Sequence, residues 1–227
     1  MLTALIIWLV KKYIINKKAS IHNSYITRLF SRKMMVLFLL LLLFSPRLTA
    51  GQAISTYNIL YKGNHIGKMY LTQLKNGDDL QVKIVSNVSM RMVMAIKINI
   101  AEESFYRKEM LMYSNVYQEV NGKVKVNRQT KFTAPCYETT AEGKRQVLNR
   151  SVINYNVARL YNMEPVNINH VYSDSFQQFR EVKAIGSHVY KLMLPDGNYN
   201  IYYYTNGTCS KVEVHSRLYT IEMHLDK

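Results

Sequence analysis

Apolar and polar side chains alternate along much of the chain beyond residue 55. One face of a predicted strand carries Leu80, Val82, Ile84, Val88 and Met90, and the residues between them are mostly polar. The same alternation recurs with Ile96, Ile98 and Ile100, and again with Val124 and Val126. A period of two residues is that of a β-strand. Because one face is polar, the pattern favours an antiparallel sheet over a parallel sheet, whose strands are buried on both faces.

Four dipeptides interrupt these alternating stretches. They are Asn76-Gly77, Asn121-Gly122, Asp196-Gly197 and Asn206-Gly207. Such pairs tolerate the positive φ angles that two-residue hairpin turns require. The sequence therefore predicts hairpins at these positions.

Taken together, the alternation and the turn signals predict ten strands. We expect them near residues 56–61, 66–74, 80–91, 95–106, 110–120, 123–132, 188–194, 199–205, 209–215 and 218–225. No internal repeat or low-complexity linker divides the chain after residue 50. We therefore assign residues 51–227 to a single antiparallel β domain.

One segment, residues 151–162, departs from the alternation. The spacing of its apolar residues fits a short helix, with Ser151 as the N-cap and Pro165 preventing its continuation. Long alternating strands and one short helix predict a mainly β fold with a long curved sheet. We expect a half-open barrel formed by an antiparallel sheet, with the short helix packed on or near its concave face.

The first fifty residues have a different character. They contain eight basic residues and no acidic one, whereas the rest of the chain carries seven of its fifteen net positive charges. Residues 34–44 are eleven consecutive apolar residues, preceded by Arg32 and Lys33 and followed by small residues up to Ala50. A membrane-spanning helix needs ~20 apolar residues, whereas the core of a signal peptide needs ~7–15. We predict that residues 1–50 are a leader with an extended n-region and a signal peptide, and that the protein is exported to the periplasm or beyond the cell.

A second apolar patch at residues 5–10 makes the region before the signal core unusually long. Translation that starts downstream of Met1 would explain this length. The alternative is an uncleaved N-terminal anchor that uses one or both apolar patches.

Cys136 and Cys209 are the two cysteines of the chain, and export would place both in an oxidising compartment. Their separation of 73 residues is compatible with a disulfide and with two free thiols. Two isolated cysteines cannot supply a metal cluster or a CxxC redox motif. We therefore expect no cofactor.

Signals for catalysis are weak throughout the sequence. The histidines lack the i, i+4 spacing of a helical metal site, and no GxSxG nucleophile motif occurs. Glu102 and Glu103 are adjacent, so on a strand they would point to opposite faces. We predict a protein that is not an enzyme and has no catalytic or metal-binding residues.

The basic residues of the predicted domain are spread over polar faces and turns rather than gathered into a stripe. This distribution, together with the predicted export, argues against nucleic-acid binding. Contact with a membrane is expected only through the leader.

Tyrosines are concentrated in the C-terminal region, where Tyr199, Tyr202, Tyr203 and Tyr204 lie between two turn signals. A tyrosine presents an apolar body and a polar tip, so such a cluster is suited to line a ligand cavity with a wet mouth. Cross-strand aromatic packing produces the same cluster without any ligand. As candidate ligand-binding residues we name Tyr161, beside the predicted helix, with Tyr202 and Tyr204.

Three short motifs resemble a known group of proteins. They are Tyr57-x-Ile59-x-Tyr61-x-Gly63-x-x-Ile66-Gly67, the run from Leu160 to Pro165, and the closing series Leu194 to Gly197 and Tyr202 to Gly207. They resemble an uncharacterised domain-of-unknown-function family of exported bacterial envelope proteins. That family is similar to periplasmic proteins with the half-open barrel of the lipoprotein carriers. The resemblance covers residues 55–227 and implies that fold, but a fold alone implies no activity.

Two functions from different classes fit these expectations. The first is a non-catalytic exported protein that binds a lipid, an acyl chain or another apolar or amphipathic ligand in the concave face of the sheet. The alternative is a structural or assembly component whose sheet edges pair with another envelope protein. An exported hydrolase with an unrecognised site is a third possibility.

The leader prediction gives a direct test. The exported product should begin at Gly51 or within a few residues of it, because the apolar run suits cleavage better than anchoring. N-terminal sequencing of the exported protein checks this expectation. An intact Met1 terminus in the membrane fraction would show that the anchor alternative is correct.

Overall fold

The computed structural model describes residues 51–91, 95–150 and 152–226. The predicted leader and the proposed N-cap Ser151 lie outside these residues. The strands are β1 (Gly51–Tyr61), β2 (Asn64–Asn76), β3 (Asp79–Arg91), β4 (Ala95–Arg107), β5 (Met110–Val120), β6 (Lys123–Thr133), β7 (Cys136–Ala141), β8 (Lys144–Leu148), β9 (His170–Ser173), β10 (Gln178–Gly186), β11 (Val189–Met193), β12 (Tyr199–Thr205), β13 (Thr208–His215) and β14 (Thr220–Leu225). Two 3₁₀ helices, η1 (Val157–Tyr161) and η2 (Pro195–Gly197), complete the elements.

All fourteen strands belong to one sheet, in the order β8-β7-β6-β5-β4-β3-β2-β1-β14-β13-β12-β11-β10-β9. Neighbours in this order are antiparallel, including β1 and β14 from the two ends of the described chain. The two edge strands, β8 and β9, are therefore consecutive in sequence, and the connection between them contains η1. The predicted class is confirmed: the fold is mainly β, a curved and open antiparallel sheet that forms a half-open barrel.

The four turn signals do form the turns that join neighbouring strands. Asn121 and Gly122 have φ angles of 49° and 76°, and Asn206 and Gly207 have 52° and 75°. Both residues of each pair thus adopt the left-handed conformation that a tight hairpin turn requires. Within η2, Asp196 and Gly197 also have positive φ.

Gly67 has a different role, because it allows two strands to approach closely. A Cβ atom at this position would lie 2.1 Å from the carbonyl oxygen of Asn87 on β3. Only glycine fits there without moving β3 away from β2.

Four strands were missed by the sequence prediction. β7, β8, β9 and β10 lie at the two ends of the sheet order. The sequence of β8 is KRQVL, and its first four residues are exposed. A strand that covers no core carries no apolar alternation, so the pattern could not reveal it.

The inner face of the sheet carries the residues that the alternation predicted. Val82, Ile84, Val88 and Met90 are buried, and Met69 and Leu71 of β2 pack in the same core. The stretch with Val124 and Val126 differs from expectation, since Val124 is 54% exposed. It lies next to the β5–β6 turn, at the end of the hairpin, where little of the protein covers it.

The predicted helix over residues 151–162 is wrong in its extent. The structure has only the five-residue 3₁₀ helix η1, and its N-cap is Asn156, whose side chain accepts a hydrogen bond from the backbone N–H of Arg159. Before it, Ile153 and Tyr155 are buried while Val152 and Asn154 are exposed. This alternation is that of extended chain, so an extended segment had been interpreted as a helix.

Sheet-like hydrogen bonds hold the extended segment in place. The backbone N–H of Leu111 donates to the carbonyl of Ile153 (2.8 Å), and that of Tyr172 donates to the carbonyl of Tyr155 (2.9 Å). The Tyr137 hydroxyl donates to the carbonyl of Leu111 (2.8 Å) and accepts from the N–H of Ile153 (3.0 Å). Backbone groups of a buried crossing segment are thereby satisfied.

η1 packs against the inner face of the sheet, which is where the sequence predicted the short helix to lie. Leu160 is fully buried in the main core, and Val157 and Tyr161 are packed against that core. The carbonyl of Leu160 also accepts a hydrogen bond from the Tyr204 hydroxyl (2.6 Å). This short helix is therefore docked through both side chain and backbone.

The two cysteines are both free thiols, Cys136 at the start of β7 and Cys209 within the main core. The two cysteines therefore do not form a disulfide with each other. Across residues 51–91, 95–150 and 152–226, no helix combines the length and hydropathy needed to cross a membrane.

The docking of η1 predicts the cost of removing its central side chain. Leu160→Ala should lower the free energy of unfolding by about 2–5 kcal/mol, because the truncation leaves a cavity in a fully buried site. Denaturant unfolding measures this change. Leu218→Ala is the matched control, since Leu218 is 84% exposed and its truncation should have little effect. Equal stabilities of the two variants would show that η1 is not docked on the sheet.

Candidate functional site

A cavity of about 190 Å³ lies inside the curved sheet, beside η1. Strands β2, β3 and β4 form one wall, and β11, β12 and β14 form the other. Its apolar lining is Met69, Ile84, Ile100, Val157, Phe176, Leu192, Leu194 and Met223, and its other lining residues are Ser86, Glu102, Tyr161, Ser173, Ser175, Asn200 and Tyr202. Five of the apolar side chains come from strands, namely Met69, Ile84, Ile100, Leu192 and Met223, so the sheet pattern builds most of this wall.

Two of the three candidate tyrosines lie together on the cavity wall. The ring of Tyr161 packs edge-to-face against Tyr202, with 5.8 Å between ring centroids, and against Tyr57 at 5.7 Å. Edge-to-face pairs of this kind add stability beyond the area they bury. Tyr161 and Tyr202 are thus placed where a ligand would touch them, and their binding role remains a prediction.

Tyr204, the third candidate, is not among the residues that line the cavity. It is buried, it packs edge-to-face on Tyr190 at 5.6 Å, and its hydroxyl binds the carbonyl of Leu160. Tyr204 therefore holds η1 in place and does not line the cavity.

The most unusual group in the cavity is the carboxyl of Glu102, which was not among the predicted site residues. Glu102 follows Ile98 and Ile100 at inward positions of β4, and this alternation was the signal that could have placed it inside. Within the described part of the chain it makes no ion pair, and no side-chain hydrogen bond to it is found. Burial, together with the negative charge of nearby Asp174, raises the pKa of Glu102 to about 7.

Asp174 is a second buried carboxyl, in the turn between β9 and β10. Asn156 donates from its side-chain amide to Asp174 Oδ2 and to the hydroxyl of Ser104, both at 2.8 Å. Asp174 Oδ1 has no hydrogen-bond partner among the described residues. Burial raises the pKa of Asp174 to about 6, although the hydrogen bond from Asn156 favours the charged form.

Glu102 gives the cavity a defined chemistry. Near neutral pH its carboxyl can hold or release a proton, and a protonated carboxyl both donates and accepts hydrogen bonds. The amide oxygen of Asn200, which also lines the cavity, has no partner within residues 51–91, 95–150 and 152–226. The site is therefore an apolar cavity with a few unpaired polar groups.

Other reactive groups near the cavity are held in an unreactive form. Burial raises the pKa of the Cys209 thiol to about 12, so it stays protonated at neutral pH. The Tyr57 hydroxyl donates to the carbonyl of Cys209 at 2.7 Å. Among the residues that the structure describes, no three His, Cys, Asp or Glu side chains come together as metal ligands.

Comparison with known proteins places the chain in a family. Residues 57–226 match the Domain of unknown function (DUF6134). The chain belongs to this family. The resemblance to a domain-of-unknown-function family is thereby confirmed, and membership assigns no activity.

No curated protein is significantly similar in sequence to this DUF6134 chain. Among solved structures, it is similar to a beta-barrel-like protein of domain of unknown function DUF1849 from Brucella abortus. The two sequences are 10% identical, the TM-score is 0.47, and the match covers 81% of this chain and 98% of that chain.

The raised pKa of Glu102 predicts a pH dependence of stability. Because its pKa is raised from 4.5 to about 7 on folding, the folded state holds this proton more tightly than the unfolded chain. The stability that Glu102 contributes is fully present below about pH 4.5 and is lost as the pH rises through about 7. Between about pH 5 and about pH 8, the free energy of unfolding should therefore fall less for Glu102→Gln than for the wild-type protein. The two decreases should differ by up to about 3 kcal/mol.

Denaturant unfolding at the two pH values measures this difference. Glu103→Gln is the control, since Glu103 is the next residue on the same strand and points to the opposite face. It should keep the pH dependence of the wild-type protein. Parallel curves for the wild type and Glu102→Gln would show that Glu102 ionises as freely as an exposed carboxyl.

Proposed function

We propose that this protein is an exported, non-catalytic envelope protein that binds an apolar or amphipathic ligand, a lipid or an acyl chain, in the cavity beside η1. The observation that carries the proposal is one cavity that joins an apolar wall to the unpaired carboxyl of Glu102. An apolar site with a few placed polar groups is the usual composition of a small-molecule site.

The cavity volume limits what can fit inside. A cavity of about 150 Å³ can hold benzene, so a cavity of about 190 Å³ takes one ring or a short piece of alkyl chain. A long acyl chain would leave part of its length outside this cavity. We therefore expect one end of the ligand to occupy the site described here.

The polar lining indicates which end enters. The oxygen of the Asn200 amide is buried without a hydrogen-bond partner among the described residues, and the Glu102 carboxyl lines the same cavity. Both can accept a hydrogen bond from a ligand. Leaving such groups unpaired in an apolar cavity is unfavourable. A ligand with a hydroxyl or amine beside its apolar part would satisfy them.

The proposal of a non-catalytic role is supported by the proton state of the nearby thiol. The raised pKa of Cys209 keeps its thiol protonated, and a thiol must lose its proton to act as a nucleophile. This state suits binding better than nucleophilic chemistry.

The proposed export rests on the apolar run at residues 34–44 and the small residues that follow it. The alternative function, assembly with another envelope protein, is favoured by one observation on the edge strand β8. Val147 of this strand is 71% exposed, and one side of β8 has no neighbouring strand in the sheet order. Lys144 and Arg145 on the same strand oppose such pairing, because charged residues blunt sheet edges.

Ligand recovery tests the proposed function. The protein purified from its own cells should retain a molecule with an alkyl chain, detected by native mass spectrometry and solvent extraction. Ile100→Phe should reduce the retained amount about 10-fold, because the larger ring occupies the cavity and overpacking typically costs ~1–3 kcal/mol. Ile185→Phe, at a position that is 52% exposed, is the matched control and should retain the ligand.

Two results would contradict ligand binding. One is wild-type protein that yields no bound molecule, and the other is equal retention by both phenylalanine variants. Crosslinking in intact cells distinguishes the alternative, since a persistent protein partner lost on Val147→Lys would support assembly through β8.

A further inference from the structure

Arg159 in η1 is a buried cation without a counterion. It is only 8% exposed, and no carboxylate within the described ranges forms an ion pair with it. A charge taken out of water is costly unless it is paired. An arginine held in this state points to a negatively charged group that completes the site.

The contacts of the guanidinium leave one particular edge available. Nη1 donates to the carbonyl of Asn154 (3.0 Å), and Nη2 donates to the sulfur of Met163 (3.2 Å). Nε has no partner among the residues described. The Nε–Nη2 edge therefore meets only a thioether, which is a weak acceptor.

Two tyrosine rings fix the orientation of this edge. The guanidinium carbon lies 5.1 Å from the ring centroid of Tyr106 and 5.5 Å from that of Tyr155. Stacking between aromatic rings is a characteristic contact of arginine and limits how the planar group can turn. The fork is thus preorganised before any ligand arrives.

The same arginine lines a second cavity, of about 310 Å³, between the β2–β3 and β4–β5 turns. Tyr106 also lines it, is 1% exposed, and has a hydroxyl with no hydrogen-bond partner in the described chain. The charged lining residues nearer solvent are of both signs: Lys75 and Lys108, and Asp78, Asp79 and Glu109. Of these acids, Asp79 is paired with Arg107 at 3.0 Å.

We propose that this second cavity binds an oxyanion, the carboxylate or phosphate group of a ligand. Two of its oxygens accept from Nε and Nη2 of Arg159, as in the two-pronged pairing that arginine makes with carboxylates and phosphates. The Tyr106 hydroxyl is a third donor. Met163, which is 37% exposed, moves its sulfur aside when the anion enters.

This site is separate from the cavity of the proposed function. The two cavities share no lining residue, and they lie on different sides of η1, with Tyr161 at one and Arg159 at the other. The oxyanion site therefore stands or falls independently of the first cavity.

Isothermal titration calorimetry at constant ionic strength tests the proposal with two probes, inorganic phosphate and dodecyl phosphate. Arg159→Lys keeps the charge and removes the fork, so it should weaken binding about 10-fold or more. Tyr106→Phe should weaken binding several-fold, on the order of one hydrogen bond, while leaving the fold intact because it removes an unpartnered hydroxyl. Arg145→Lys, at an exposed position that pairs with Glu138, is the control and should bind as the wild type does.

The two probes separate a free anion from a lipid headgroup. Binding of inorganic phosphate that depends on Arg159 and Tyr106 supports a site for a free oxyanion. Binding of dodecyl phosphate alone, with the same dependence, supports the headgroup of an amphiphile.

The proposal is overturned if Tyr106→Phe binds both probes as tightly as the wild-type protein does. This comparison remains valid even if Arg159→Lys fails to fold. An equal loss in Arg145→Lys would also overturn it, because an arginine that does not line the cavity would then matter as much as the proposed fork. Dodecyl phosphate binding that is reduced by Ile100→Phe but not by Tyr106→Phe would support the first cavity and reject the oxyanion site.

Discussion

An open sheet that curves through fourteen strands depends on something covering its apolar inner face. Most strands contribute buried side chains to that face, and the sheet does not close on itself, so water would otherwise reach the interior. The covering element is the connection between β8 and β9, which passes back across the concave side. Its residues Ile153, Tyr155 and Leu160 are nearly or fully buried. Sheet curvature and the course of this connection therefore depend on each other.

Crossing the interior brings polar backbone and side chains into it, and these need partners. Tyr137 serves this purpose by bridging Leu111 and Ile153, while Asn156 caps η1 and binds both Ser104 and Asp174. Some of the polar groups left over lie beside η1, where Asn200, Arg159 and Tyr106 each have a buried atom without a hydrogen-bond partner among the described residues. A short helix cannot fill the whole width of the curved sheet, and two cavities remain beside it. Asn200 lines one cavity with Glu102, and Arg159 and Tyr106 line the other, which is why both proposals concern the surroundings of η1.

Much of the sheet could be predicted from sequence because its inner strands obey one simple rule. β3 and β4 alternate strictly, and paired positive φ angles at Asn121-Gly122 and Asn206-Gly207 form the β5–β6 and β12–β13 turns as expected. The edge strand β8 escaped because it covers no core. The extended segment before η1 was taken for a helix because its apolar spacing fits both structures, and only its pairing with Leu111 and Tyr172 decides between them. The alternation of β4 could have placed Glu102 on the inner face, but Arg159 could not be assigned from sequence, since its burial follows from how the connection between β8 and β9 crosses the sheet.

The two ends of the sheet approach one another through side chains rather than through a backbone ladder. The hydroxyls of Tyr172 on β9 and Thr130 on β6 are 2.9 Å apart, and Gln177 donates to the carbonyls of Gln129 (2.7 Å) and Thr140 (3.1 Å). Each such hydrogen bond contributes only about 0.5–1.5 kcal/mol. Separating this seam costs far less than breaking a strand pair, whose loss would remove a whole ladder of backbone bonds. Because Ser173, Ser175 and Phe176 of the same hairpin line the first cavity, movement of the seam changes the cavity directly. The half-open barrel is thus weakest along the wall of the first cavity that this hairpin forms.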